Sequence, residues 1–135
     1  MPQTSGLHVA IFQNHDGVYK HWGLFLDGPT KLEKTVFQIM GSSTRYYFEK
    51  LNSDARESAD LLELVHLCDV ANSHANAIED AAENMTIHNE APGYNCQDYV
   101  LELLDDLEER GVIVKEDADY RKNRTALERK QEGLD

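Results

Sequence analysis

Only two of the 135 residues are cysteine, Cys68 and Cys96, too few for a disulfide framework. The expectation that follows is a reducing, cytoplasmic location with both thiols free. Two cysteines without a close histidine pair give no structural zinc pattern, so neither a metal nor another cofactor is expected. No run of eighteen apolar residues occurs, so no membrane span is expected. Met1–Gly6 has no basic region followed by an apolar core, so no secretory signal is read there. Basic residues are scarce: 13 Lys and Arg stand against 25 Asp and Glu, a net charge of −12 with His neutral. That balance argues against gripping nucleic-acid phosphates or an anionic membrane surface. No Gly-rich phosphate loop, Gly-x-Ser-x-Gly elbow or His-Glu-x-x-His pair is present, and there is no internal repeat.

What is present is enough apolar material for a core, 41% of the chain, arranged as β first and α later. Residues 8–13, 18–26 and 34–40 read as strands. They are separated by Asp16-Gly17 and Asp27-Gly28-Pro29-Thr30, which are turn formers. Residues 45–51 are a candidate fourth strand. Residues 61–70 are largely apolar, and periodicity leaves strand and buried helix both open. Residues 72–85 are rich in Ala and Glu and predict a helix. The clearest helix begins at Asn95, an N-cap residue with Asp98 three positions on. Cys96, Val100, Leu103, Leu104 and Leu107 then share one face, and Gly111 closes it. The fold class is α+β, an antiparallel meander packed on helices. Residues 1–119 are expected to form one domain, and 120–135 a solvated helix or tail dispensable for the core.

Chemistry concentrates at two places. Cys96 sits on the first turn of a helix, where free N–H groups and the helix dipole favour a thiolate and can also stabilise an oxyanion. The alternative is a small apolar side chain tucking the helix start into the core. His21, in Lys20-His21-Trp22-Gly23-Leu24-Phe25, lies within the expected second strand, and Gly23 on the same face leaves room beside it. It is the candidate base for Cys96, or else a packed histidine. Gln38, a polar side chain inside an apolar strand, wants a partner. It either accepts from the imidazole and orients it, or faces solvent. Trp22, Asn95 and Gln97 flank the pair and are candidate substrate contacts. His15, His74 and His88 fall in polar stretches and are expected at the surface. Cys68 reads as core, and the Asp105-Asp106 and Glu108-Glu109 pairs as a solvated helix face.

In order along the chain, His21-Trp22 on a strand, then Gln38, then Asn95-Cys96-Gln97-Asp98-Tyr99-Val100 opening a helix resemble the circularly permuted NlpC-like branch of the papain-like fold. Within it the pattern is similar to the lecithin:retinol acyltransferase-like proteins, and also to small uncharacterised fungal proteins with the same Asn-Cys-Gln-Asp segment. The resemblance implies a Cys96 nucleophile and a His21 base. Gln38 stands where the acyltransferase relatives carry a second histidine; an amide orients an imidazole but supplies no charge. The activity implied is hydrolysis or acyl transfer on an amide, peptide or ester through a thioester. The partner is then a small-molecule or peptide substrate, and oligomeric state is left open. The PPPDE isopeptidases, which also place a His before an Asn-Cys helix start, are a second enzyme reading. A catalytically degenerate binding module on the same fold and a purely structural α+β domain are the non-enzymatic ones.

Overall fold

The computed structural model describes residues 3–15 and 17–133. Five strands form one sheet: β1 Thr4–Phe12, β2 His21–Asp27, β3 Lys34–Met40, β4 Tyr47–Leu51 and β5 Leu61–Ala71. Three helices follow: α1 Ala75–Asn84, α2 Cys96–Glu109 and α3 Ala118–Glu128. The sheet order is β4-β3-β2-β1-β5 and every neighbouring pair is antiparallel. The α+β class is therefore that of the sequence analysis. The meander runs from β1 to β4, and β5 returns to the other side of β1. Of the expected first hairpin turn, Asp16 lies outside the described residues.

Period-two alternation assigns the two faces of the sheet. Leu7, Val9 and Ile11 of β1, Trp22, Leu24 and Leu26 of β2, and Phe37 and Ile39 of β3 are buried on one face against Ile78, Val100, Leu103, Leu104 and Leu107 of the helices. The opposite face carries a smaller cluster of Ala10, Phe25, Val36 and Ala55. α2 forms where it does because Asn95 and Asp98 close a capping box, and its apolar stripe meets the sheet. Gly111 adopts φ +76° just past its end, a conformation that favours glycine.

One open reading is settled and two expectations change. The 61–70 run is a strand, because β1 offers it an open edge along its whole length, with two register irregularities. The second strand starts at His21 rather than Val18; Val18 is 89% exposed, and nothing pairs its backbone into the sheet. The segment from Tyr120 is not a dispensable tail. Tyr120 and Leu127 are buried in the main core, the Tyr120 hydroxyl donates to Glu108, and Arg124 bridges Asp105, Glu108 and Glu128. Glu108 is thereby a structural anchor rather than part of a free polar face. Among the described residues, no helix is long and apolar enough to cross a membrane.

Candidate active site

Cys96 is the first residue of α2. Its sulfur is docked on the segment that leads into β2: the Trp22 N–H donates to Sγ at 3.4 Å, and the thiol donates to the Lys20 carbonyl at 3.8 Å. It is 8% exposed. The helix start does not produce an activated resting thiolate. Burial pushes the Cys96 thiol up and outweighs the N–H groups of Trp22, Cys96 and Gln97, which pull it down. This corrects the expectation of a lowered value. Hydrogen-bond donors at a helix terminus act on one charge, but desolvation acts on it from all sides.

His21 opens β2 and projects from the face away from the helices, against the Phe12 ring at 5.7 Å. Its Nε2 lies 2.7 Å from Gln38 Oε1. Gln38 is buried, and its Nε2 donates to Glu49 at 3.1 Å. That second bond fixes the amide, so its oxygen faces the imidazole and His21 carries its proton on Nε2. Burial lowers the His21 pKa, while the Gln38 bond and the Glu49 charge push it back up. Gly23 makes the arrangement possible: a Cβ there would stand 2.8 Å from Val36 Cγ1 and 3.5 Å from Gln38 Oε1.

His21, Gln38 and Cys96 all line one cavity of about 520 Å³ at the end of the sheet where β2 begins. Phe12, Val36, Ile39 and Leu51 give it apolar lining and Asp54, Glu57 and Asp60 acidic lining, and among the described residues no Lys or Arg lines it. Tyr46 lines it too, held by Asn89, which accepts from its N–H at 2.9 Å and donates to its carbonyl at 3.0 Å. Although they share the cavity, no hydrogen bond joins Cys96 to His21 among the described residues.

The three residues expected to touch substrate have other work. Trp22 is buried in the core, and only its backbone reaches the sulfur. Gln97 is 0% exposed, with its amide bonded to Lys20 and Glu132. The Asn95 side chain accepts from Gln97 N–H as the helix cap. In this structure all three support the helix start or the core, and none of them is among the residues lining the cavity.

Of the other histidines, His15 also lines the cavity, where it is exposed and pairs with Asp60, and His66 pairs with Asp69 at the surface. His74 and His88 are half-buried rather than exposed, and His88 contacts Glu90 and Glu102. Desolvation pushes Cys68 up to about 12. Among the described residues, no three His, Cys, Asp or Glu side chains gather as a metal site. Sequence reasoning missed Glu49, Tyr46, Lys20 and Glu132. Glu49 had a faint signal, since it lies between Tyr47 and Leu51 on one face of β4. Glu132 had none.

No curated protein and no solved structure matches this chain. A family described as of unknown function, DUF6540, matches residues 7–114, a span that runs from β1 past the end of α2 and includes every residue lining the cavity. The chain belongs to the DUF6540 family.

Proposed function

We propose that this chain is a cysteine-dependent hydrolase or acyltransferase of the permuted NlpC-like, lecithin:retinol acyltransferase-like kind, acting on an amide, peptide or ester in a reducing, cytoplasmic compartment. The observation that carries the reading is the His21–Gln38 hydrogen bond in the wall of the cavity that Cys96 also lines. A polar side chain buried in a strand and spent on orienting an imidazole is costly unless the imidazole is used.

In the resting site both partners are uncharged, because burial raises the thiol and lowers the imidazole. The proton moves only once a substrate fills the cavity. His21 Nε2–H is engaged by Gln38, so Nδ1 takes the Cys96 proton as sulfur attacks the carbonyl carbon. The Trp22 N–H stays on the sulfur, and the Cys96 N–H is the donor offered to the developing oxyanion, since the Asn95 cap takes those of Gln97 and Asp98. The tetrahedral intermediate collapses to a thioester when the His21 imidazolium gives its proton to the leaving amine or alcohol. Water or an amine, deprotonated by His21, then attacks the thioester and restores the thiol.

The test is a panel of activated amides, esters and thioesters, with intact mass spectrometry to capture the acyl-enzyme. Acylation at Cys96 is expected, lost in Cys96→Ala and strongly slowed in His21→Ala. Turnover of Cys96→Ala at the wild-type rate removes Cys96 from the mechanism. A second reading, a catalytically degenerate binding module, is favoured by the deep burial of Cys96 and the missing Cys96–His21 hydrogen bond. Its signature is no acylation by any member of the panel.

A further inference from the structure

The last described residues of the chain reach back to the candidate site. Gln131 and Glu132 follow α3 and lie beyond residue 114, where the family match ends. Glu132 Oε1 accepts from the Lys20 backbone N–H at 2.8 Å and from Gln97 Nε2 at 3.1 Å. The Glu132 N–H donates to Gln97 Oε1 at 2.8 Å, and Gln97 Nε2 also donates to the Lys20 carbonyl at 3.0 Å. Gln131 Nε2 donates to Asp98 at 3.0 Å. A closed ring therefore ties the peptide groups of Lys20 to the residue after Cys96. The Lys20 ammonium, 3.7 Å from Glu132 and half exposed, adds little to it.

Cys96 sits between two opposed groups. The Lys20 carbonyl accepts its S–H and favours the neutral thiol; the Trp22 N–H donates to its sulfur and favours the thiolate. Trp22 is held by the ladder opposite Ile11. Lys20 precedes the strand; its carbonyl shares a peptide unit with His21 at the end of the ladder and is held by Gln97 Nε2, whose amide Glu132 fixes from both sides. The other ionisable groups around the sulfur are His21 on β2, Tyr46 ahead of β4, and Tyr94 and Asp98 on either side of the helix start.

We propose that Glu132 is a positioning residue for Cys96: it holds the Lys20 carbonyl on the sulfur and so keeps the thiol protonated until the cavity is filled. The proposal rests on Cys96 being the nucleophile of the site. It makes the segment after α3 part of the active-site apparatus of this chain, although that segment lies outside the span shared with the family.

The test is the pH profile of iodoacetamide alkylation of the full chain, read by peptide mapping at Cys96 and Cys68 separately, in the wild type, Glu132→Ala and Glu132→Gln. In Glu132→Ala the Cys96 midpoint is expected to fall by about one pH unit, the effect of losing one hydrogen bond that favours the thiol, with Cys68 unchanged. Glu132→Gln keeps an acceptor oxygen for the Lys20 N–H and is expected to stay near the wild type. An unchanged Glu132→Ala profile overturns the proposal. So does a Glu132→Gln profile matching that of Glu132→Ala, because charge alone would then act, or equal acceleration at Cys68, which reports general loosening. The profile needs no turnover, so a failure to detect acylation at Cys96 counts against the proposed function and leaves this result readable.

Discussion

His21 and Gln38 are hydrogen-bonded at 2.7 Å although they are not opposite each other in the sheet. The β2–β3 ladder pairs Leu24 with Phe37, and one further step sets Gln38 opposite Gly23. Gln38 therefore crosses diagonally to His21, over a residue without a side chain, within the reach of a long side chain on one sheet face. Glu49, its register partner on β4, holds the far end of the amide.

Removing Gln38 changes the imidazole in a defined direction. The bond raises the His21 pKa against the larger effect of burial, so Gln38→Ala is expected to lower the titration midpoint of the His21 Cε1–H resonance. Glu49→Gln is expected to lower it less, because it removes only a more distant charge. Loss of one aligned hydrogen bond of ~1 kcal/mol also slows any turnover by about fivefold. An unmoved His21 midpoint in Gln38→Ala would show that the bond does not control the ring.

Gly23→Ala places a methyl group 2.8 Å from Val36 Cγ1. The overpacking is expected to cost about 1–3 kcal/mol in urea unfolding and to shift the His21 midpoint as Gln38→Ala does. The double substitution Gly23→Ala with Val36→Ala is expected to recover the His21 midpoint by relieving the clash. Full stability in the single variant would mean that the space beside His21 is not used.

The cavity wall predicts a charge preference. With Asp54, Glu57 and Asp60 lining it and no Lys or Arg among the described residues, Cys96 is expected to react about tenfold faster with a trimethylammonium-ethyl methanethiosulfonate than with its sulfonatoethyl counterpart at low salt. The difference is expected to shrink at high salt and in Glu57→Gln with Asp60→Asn. A preference that survives those two substitutions would belong to the net charge of −12 rather than to the cavity.

Two half-buried histidines set an acid limit on stability. His8 is lowered from the ordinary value of 6.5 by burial and by the neighbouring His66, and His21 by burial. Each binds its proton more readily in the unfolded chain than in the fold. Their contribution to stability is complete above about pH 7 and is lost as the pH falls through 6.5 towards the lowered folded values. The urea midpoint is expected to drop between pH 7.5 and pH 5.5, and to drop less in His8→Gln with His21→Gln. Equal drops would assign the acid sensitivity to other groups.

Read alone, the sequence determined what depends on neighbours along the chain. The capping box of Asn95 and Asp98, the Gly111 terminator, the alternation of strands β1 to β3 and the shortlist of Cys96, His21 and Gln38 all follow from local chemistry. Tertiary structure decided the rest. Residues 61–70 became a strand because β1 had an open edge, a fact absent from the run itself. The thiol of Cys96 moved up rather than down because burial is summed over every element packed around it. Tyr120 and Leu127, isolated apolar residues in a charged stretch, became core because α3 lies against β5 and α2. The contact between Lys20 and Glu132 spans 112 positions, and only the closed fold brings such partners together.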